Sequence, residues 1–166
     1  AEKIGAVNCI TISKKKKLKG YNTDYHGFKK SIKPLLKDHH KKALILGTGG
    51  ASKAIAYALR KLKIEYDFVS RTADEFQYKY EELDASIFEE YTIIINTTPV
   101  GTHPNVDDCP NLDYSLFTKK HIAYDLIYNP EETAFLKKAK AQGALTKNGY
   151  EMLVLQAEKA WKIWNE

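Results

Sequence analysis

A doubly wound, mostly parallel α/β sheet with helices on both faces is the fold this sequence predicts, and three observations carry the prediction. Ala43–Leu46 is an apolar run of the kind that marks a strand buried on both faces. The loop Gly47-Thr48-Gly49-Gly50-Ala51-Ser52 follows at once. Ala54, Ile55, Ala58, Leu59 and Leu62 then recur with the spacing of an amphipathic helix. Two further buried-type strands, Thr92–Asn96 and His121–Leu126, come in between helical patterns.

Strand, glycine turn and helix together open a βαβ unit of the dinucleotide-binding, Rossmann-like kind. Glycines let the backbone approach a pyrophosphate, and the helix N-terminus presents free N–H groups at the positive end of its dipole. The third small position is Ser52, a departure from the G-x-G-x-x-[G/A] pattern.

The 166 residues suit one domain, or one domain with part of another. Composition is globular, 43% hydrophobic and 28% charged, without a low-complexity tract. No apolar run approaches the ~18 residues of a membrane-spanning helix, and the first residues lack a signal-peptide pattern. Cys9 and Cys109 show no metal or redox spacing and fit a reducing compartment, so the cytoplasm is the expected location. The net charge is +5, but Lys14–Lys17 lies between two strand-like runs and reads as a solvated hairpin tip. Neither a nucleic-acid nor a membrane partner is expected. The mildly basic surface suits an anionic cofactor and a carboxylate substrate.

Taken in order, Ile4–Ile12 reads as a strand and Leu18–Asn22 as a second one. Two strands alone are marginally stable in water, so more sheet is expected upstream. Asn22-Thr23-Asp24 opens a helix, with Thr23 or Asp24 accepting from the first-turn N–H groups. Phe28, Ile32, Leu35 and Leu36 share its apolar face, and Pro34 either kinks it or divides it. His39-His40 with Lys41-Lys42 reads as a solvated polar link. Adjacent side chains do not share a face, so no metal site is expected there.

Tyr66–Ser70 is the next strand, followed by Arg71-Thr72. In NAD-specific folds an acid near the end of this strand takes the ribose 2′-hydroxyl, whereas an arginine accommodates a 2′-phosphate. Asp67 falls early in the strand. The strand end holds Ser70, Arg71 and Thr72, and an arginine fork matches phosphate, so NADP is expected over NAD.

Leu83–Tyr91 reads as a short helix. The strand Thr92–Asn96 runs into Thr97-Thr98-Pro99-Val100-Gly101, the kind of turn where open α/β sheets place ligands. Thr102–Lys120 is a polar connection in which His103 and Cys109 have no evident partner. After His121–Leu126 and Ile127-Tyr128-Asn129-Pro130, a helix runs from about Glu131 to Gln142, with Gly143 as its stop. Thr146–Gly149 reads as a turn, and the last helix runs from Gly149 or Tyr150 to about Trp164. On its apolar face Gln156 is either a satisfied core amide or a ligand contact.

Seven motifs in order resemble the shikimate dehydrogenases along essentially the whole chain: GAVNCI (Gly5–Ile10), GYNTDYHG (Gly20–Gly27), LGTGGASKA (Leu46–Ala54), SRT (Ser70–Thr72), NTTPVG (Asn96–Gly101), DLIYNPEETAFL (Asp125–Leu136) and NGYEMLVLQAEKAWKIW (Asn148–Trp164). The resemblance implies reversible reduction of 3-dehydroshikimate to shikimate with NADPH. It implies that Asn8, Asp24, Tyr128 and Gln156 contact the substrate, with Asp24 the carboxylate partner of a catalytic lysine. Gly47, Thr48, Gly49, Gly50 and Ala51 would form the pyrophosphate loop. Arg71 and Thr72 would clamp the 2′-phosphate, Ser70 replacing the asparagine common there. Thr97, Leu126 and Gly149 complete the implied cofactor set, the last two on the nicotinamide side. Reduction of a ketone needs a hydride on carbon and a proton on oxygen, which a lysine beside a carboxylate can shuttle.

In the family that lysine, and the hydroxyls that hold the substrate carboxylate, lie in a domain preceding GAVN. No lysine here has the matching context, so none is assigned. The resulting division is residues 1–24 as the last strands of a substrate domain, 25–147 as the NADP-binding domain, and 148–166 as a helix packing back towards the former. The chain alone is expected to be inactive, and its exposed strand edges leave a homo-dimer open. Two alternatives stand beside this one: a quinate/shikimate dehydrogenase with relaxed cofactor use, and a non-catalytic nucleotide-binding module.

Overall fold

The computed structural model describes residues 1–166. A two-stranded antiparallel ribbon, β1 (Cys9–Ile12) and β2 (Leu18–Tyr21), stands apart from the main sheet. Its tip at Ser13–Lys17 is exposed and turns through Lys16 at φ 56°. Helix α1 (Asp24–Ile32) follows, and at Pro34 it gives way to a separate 3₁₀ turn, Lys33–Leu35.

The main sheet is wholly parallel: β3 (Lys42–Leu46), β4 (Glu65–Val69), β5 (Ile93–Asn96), β6 (Ile122–Asp125) and β7 (Leu145–Lys147), in the spatial order β4-β3-β5-β6-β7. The connecting helices are α2 (Gly50–Lys61), α3 (Ala85–Glu90) and α4 (Ala134–Ala141), and α5 (Tyr150–Asn165) ends the chain. Side chains alternate across each strand, which splits the interior into two layers. Ala43, Ile45, Ile93, Ile95, Ile122 and Tyr124 face α1, α2 and α5. Leu44, Leu46, Ile94 and Ala123 face α3, α4 and the 112–117 connection. Each large aliphatic side chain so buried contributes about 1.5–3 kcal/mol. This two-sided burial is why Ala43–Leu46 of β3 and Ile93–Ile95 of β5 are unbroken apolar runs.

β3 is flanked by β4 on one side and β5 on the other, so the chain reverses its winding there. The carboxyl ends of β3 and β5 carry the loops that follow Leu46 and Asn96, the place where an open α/β sheet of this winding forms its ligand crevice.

Five expectations are corrected. The first strand begins at Cys9, because Ala1–Gly5 closes on itself in a turn, with the Gly5 N–H donating to the Ala1 carbonyl at 2.9 Å. Neither Thr23 nor Asp24 caps α1: Asn22 Oδ1 accepts the Tyr25 N–H at 3.3 Å, and the Thr23 hydroxyl is used elsewhere. His40 is buried, its Nδ1 accepting the Lys37 N–H at 2.9 Å and its Nε2 donating to the Lys120 carbonyl at 3.0 Å. Thr133 caps α4 by accepting the Leu136 N–H at 3.3 Å, so that helix starts at Ala134. Finally, Thr146 and Lys147 are not in a turn but in β7, which pairs with β6 at the sheet edge.

Candidate functional site

The glycine loop sits at the crevice. Gly47 has φ +99°, a left-handed conformation, and a Cβ there would meet Thr98 Cγ2 at 2.9 Å. Gly49 and Gly50 differ: a Cβ on either would meet nothing within 4 Å. Protein packing does not demand glycine at those two positions, so the bare backbone is room for something outside the chain. Thr48 is exposed beside them, and no side chain caps the α2 N-terminus, whose N–H groups stay available to an anion. Ser52 is buried and donates its hydroxyl to the Gly49 carbonyl at 2.6 Å, which accounts for its place in the glycine pattern.

At the end of β4, the Ser70 N–H donates to the Tyr78 carbonyl at 3.0 Å and Ser70 Oγ accepts the Thr72 N–H at 3.3 Å. Arg71 is exposed between them and enters no ion pair. Burial pushes the nearby Tyr80 hydroxyl up in pKa, and the Arg71 charge pulls it down. Asp67 is committed to the Tyr91 hydroxyl, 2.5 Å away.

Between the ends of β3, β5 and β6 lies an open cleft of about 560 Å³, lined by Ala51, Thr97–Pro99, Thr102, His103 and Leu126–Asn129. The Thr97 hydroxyl is not free in it, because it donates to the Leu46 carbonyl at 2.6 Å and props the base of the glycine loop. Tyr128 lies half exposed along the cleft. Gly149 abuts its far side: a Cβ there would stand 1.9 Å from the Leu126 carbonyl oxygen, and its N–H donates to the Ile127 carbonyl at 3.1 Å. His103, without a partner in sequence, joins the same lining.

A second polar cluster forms where the ribbon meets α1 and α5. Asn8 Nδ2 donates to Asp24 Oδ1 at 2.8 Å, and Asn8 Oδ1 accepts the Thr23 N–H at 2.8 Å. The Thr23 hydroxyl donates to Gln156 Oε1 at 3.0 Å. Burial raises the Asp24 pKa, opposed in part by the bond from Asn8. Asn8, Asp24 and Gln156 are thus brought together, and Thr23, which sequence reasoning treated only as a cap, is their link. Asp125 was also missed: it is fully buried, and burial pushes its carboxyl up to about 6 against hydrogen bonds from Thr133, the Ile127 N–H and Asn96.

The arrangement suits a dinucleotide. Open glycine backbone and a free helix end fit a pyrophosphate, an unpaired arginine fits a further phosphate, and a cleft leads on towards polar side chains. No three His, Cys, Asp or Glu side chains gather as a metal site. No helix is long and apolar enough to cross a membrane.

No family model matches the chain. The sequence is 42% identical to the shikimate dehydrogenase (NADP(+)) of Caldanaerobacter subterraneus, over 99% of this chain and 64% of that protein. The fold is similar to the crystal structure of shikimate dehydrogenase from Aquifex aeolicus, with TM-score 0.86 and 37% identity over 99% of this chain and 63% of that one. It is similar also to shikimate 5-dehydrogenase from Thermus thermophilus in complex with NADP(H) and shikimate, with TM-score 0.82 and 34% identity over 98% and 63%. The chain therefore spans just under two thirds of the curated relative's length.

Proposed function

The chain belongs to the shikimate dehydrogenase family, and we propose that its residues form the NADP-binding part of an enzyme that reversibly reduces 3-dehydroshikimate to shikimate. The observation that carries this reading is the open backbone at Gly49 and Gly50, set at the switch point of the sheet. When bound, the dinucleotide supplies the hydride. The chain's own residues bind and orient. The α2 N–H groups and the loop receive the pyrophosphate, and Arg71, with Ser70 and Thr72, takes the 2′-phosphate. Ala51 belongs to the pyrophosphate loop, Leu126 and Gly149 would flank the nicotinamide, and Thr97 keeps the loop in place through Leu46.

Asn8, Asp24, Tyr128 and Gln156 face the substrate in this reading. A partly buried carboxylate held by an amide is suited to steer a proton-carrying partner, because burial favours its neutral form and a cation its charged one. The 166 residues hold no lysine matching the family's catalytic one, so the chain by itself binds NADP without turnover. Shikimate-dependent NADPH formation by this chain would refute that. The exposed apolar side chains Ile10, Ile12 and Leu18 on the ribbon favour a homo-dimer, which sedimentation at several concentrations checks. Free Cys9 and Cys109 accord with a cytoplasmic location.

Calorimetric titration with NADP and with NAD tests the reading. NADP binding at least roughly tenfold tighter than NAD is expected from a phosphate-arginine contact. Binding of neither would overturn it.

A further inference from the structure

We propose that Asp125, to which the sequence reading attached no role, is the positioning residue that holds the two walls of the cleft at the separation the nicotinamide end of the dinucleotide requires. The proposal rests on the reading of that cleft as part of the NADP site.

Asp125 ends β6 and stands directly opposite Asn96, which ends β5. Both are fully buried. Asn96 Nδ2 donates to Asp125 Oδ1 at 3.1 Å. Asn96 Oδ1 in turn accepts the Thr98 N–H at 3.0 Å and the Thr98 hydroxyl at 2.6 Å. One wall of the cleft, Thr97–Pro99, is therefore anchored on Asn96, and Asn96 is oriented by Asp125. The same Asp125 Oδ1 accepts the Ile127 N–H at 3.0 Å, which directs the opposite wall, Leu126–Asn129. Asp125 Oδ2 accepts the Thr133 hydroxyl at 2.7 Å, so the start of α4 is tied to the same carboxylate.

Three donors from three separate segments converge on one group. A carboxylate presents two oxygens and only acceptors, which an amide or hydroxyl at this position does not. Burying it is costly unless each donor is present, and this cost falls at the paired carboxyl ends of β5 and β6, directly beneath the cleft. Loss of the carboxylate leaves Asn96 Nδ2 only its longer 3.4 Å bond to the Val100 carbonyl, which loosens the anchor of Thr98, and it releases Ile127 and Thr133 outright. The glycine loop and Arg71 stand on β3 and β4, and Asp125 makes no hydrogen bond to either.

The test compares binding of NADP with binding of 2′,5′-ADP, which carries the adenosine and 2′-phosphate but no nicotinamide, to the wild-type chain and to Asp125→Asn and Asp125→Ala. Asp125→Ala is expected to weaken NADP about tenfold, the equivalent of one buried hydrogen bond. Asp125→Asn, which keeps one acceptor oxygen, is expected to weaken it less, and 2′,5′-ADP should bind all three alike. If Asp125→Ala does not fold, Asp125→Asn decides alone, with 2′,5′-ADP binding as its report of an intact adenosine half. Equal loss of both ligands, or unchanged NADP binding, overturns the proposal. A wild-type chain that binds neither ligand brings down the reading of the site itself.

Discussion

Tyr91 donates its hydroxyl proton to Asp67 Oδ2 across 2.5 Å, and that bond commits the carboxylate in the middle of β4 to the layer shared with α3. Tyr91 is buried, and burial first, then the Asp67 bond, holds its hydroxyl far above the usual phenol range. An acid that would serve a ribose 2′-hydroxyl belongs at the carboxyl end of this strand. Here that end presents Ser70, Arg71 and Thr72. In the proposed reading the choice between cofactors rests on the exposed Arg71 guanidinium, because the carboxylate of this strand is already bonded.

Arg71→Ala should weaken NADP about ten- to a hundredfold, the range of a charge-assisted contact, and leave NAD nearly unchanged. Added salt should narrow the gap, since an exposed ion pair is screened. Calorimetry on the wild type and the variant reads both affinities. Equal weakening of NADP and NAD would mean that Arg71 shapes the loop and does not contact the 2′-phosphate.

Gly49→Val separates binding from stability. Gly49 has φ −74° and ψ −173°, an extended conformation any residue adopts, and its added side chain would enter open space. The melting temperature should therefore hold while NADP affinity collapses, because the side chain occupies the approach of the pyrophosphate. Gly149→Ala should do the opposite to stability, since its methyl would collide with the Leu126 carbonyl oxygen. A Gly49→Val chain that still binds NADP normally would remove the loop from the site.

Most of the sheet was legible because β3, β5 and β6 are buried on both faces, and that leaves unbroken apolar runs in sequence. β7 was not, because it is three residues long at the sheet edge, with Leu145 exposed and a turn-like Lys147-Asn148-Gly149 at its end. The glycine loop and Arg71 could be placed from local pattern. The Asn96–Asp125–Thr133 node could not: its members look like strand ends and a helix cap until the fold brings them into contact. His40 misled for a related reason. A histidine next to two lysines looks solvated, and only the return of the chain at Lys120 covers it.

The part of the stability that His40 and His121 supply should fall as pH drops below the ordinary histidine range. Burial lowers the pKa of His40 and of His121, and each uses Nδ1 to accept a backbone N–H, from Lys37 at 2.9 Å and Thr118 at 3.0 Å. A proton added at Nδ1 would meet that N–H. The unfolded chain takes up protons first, so this contribution is whole above about pH 6.5 and is lost as pH falls towards the lowered folded values. Urea midpoints between about pH 7.5 and 5 measure it. The double variant His40→Asn and His121→Asn, which keeps an acceptor but does not titrate, should flatten the slope; an unchanged slope would assign the acid sensitivity to other groups.

Asp125 works in the opposite sense over an overlapping window. Its folded pKa stands at about 6 against an ordinary 3.8, with burial the dominant cause, so the folded chain binds its proton before the unfolded chain does. Stability from this group is complete below 3.8 and declines as pH rises through about 6. At about 1.4 kcal/mol per unit the shift amounts to roughly 3 kcal/mol. Asp125→Asn imitates the protonated side chain and does not titrate, so its stability relative to wild type should increase by roughly that amount between about pH 4 and 7. The same titration bears on the cleft. The ionised carboxylate accepts from Asn96, Ile127 and Thr133 at once, so the pH that makes the fold less stable is the one that ties the walls most firmly. Urea unfolding of the two chains across that range decides it, and a constant difference between them would mean that Asp125 keeps one charge state throughout.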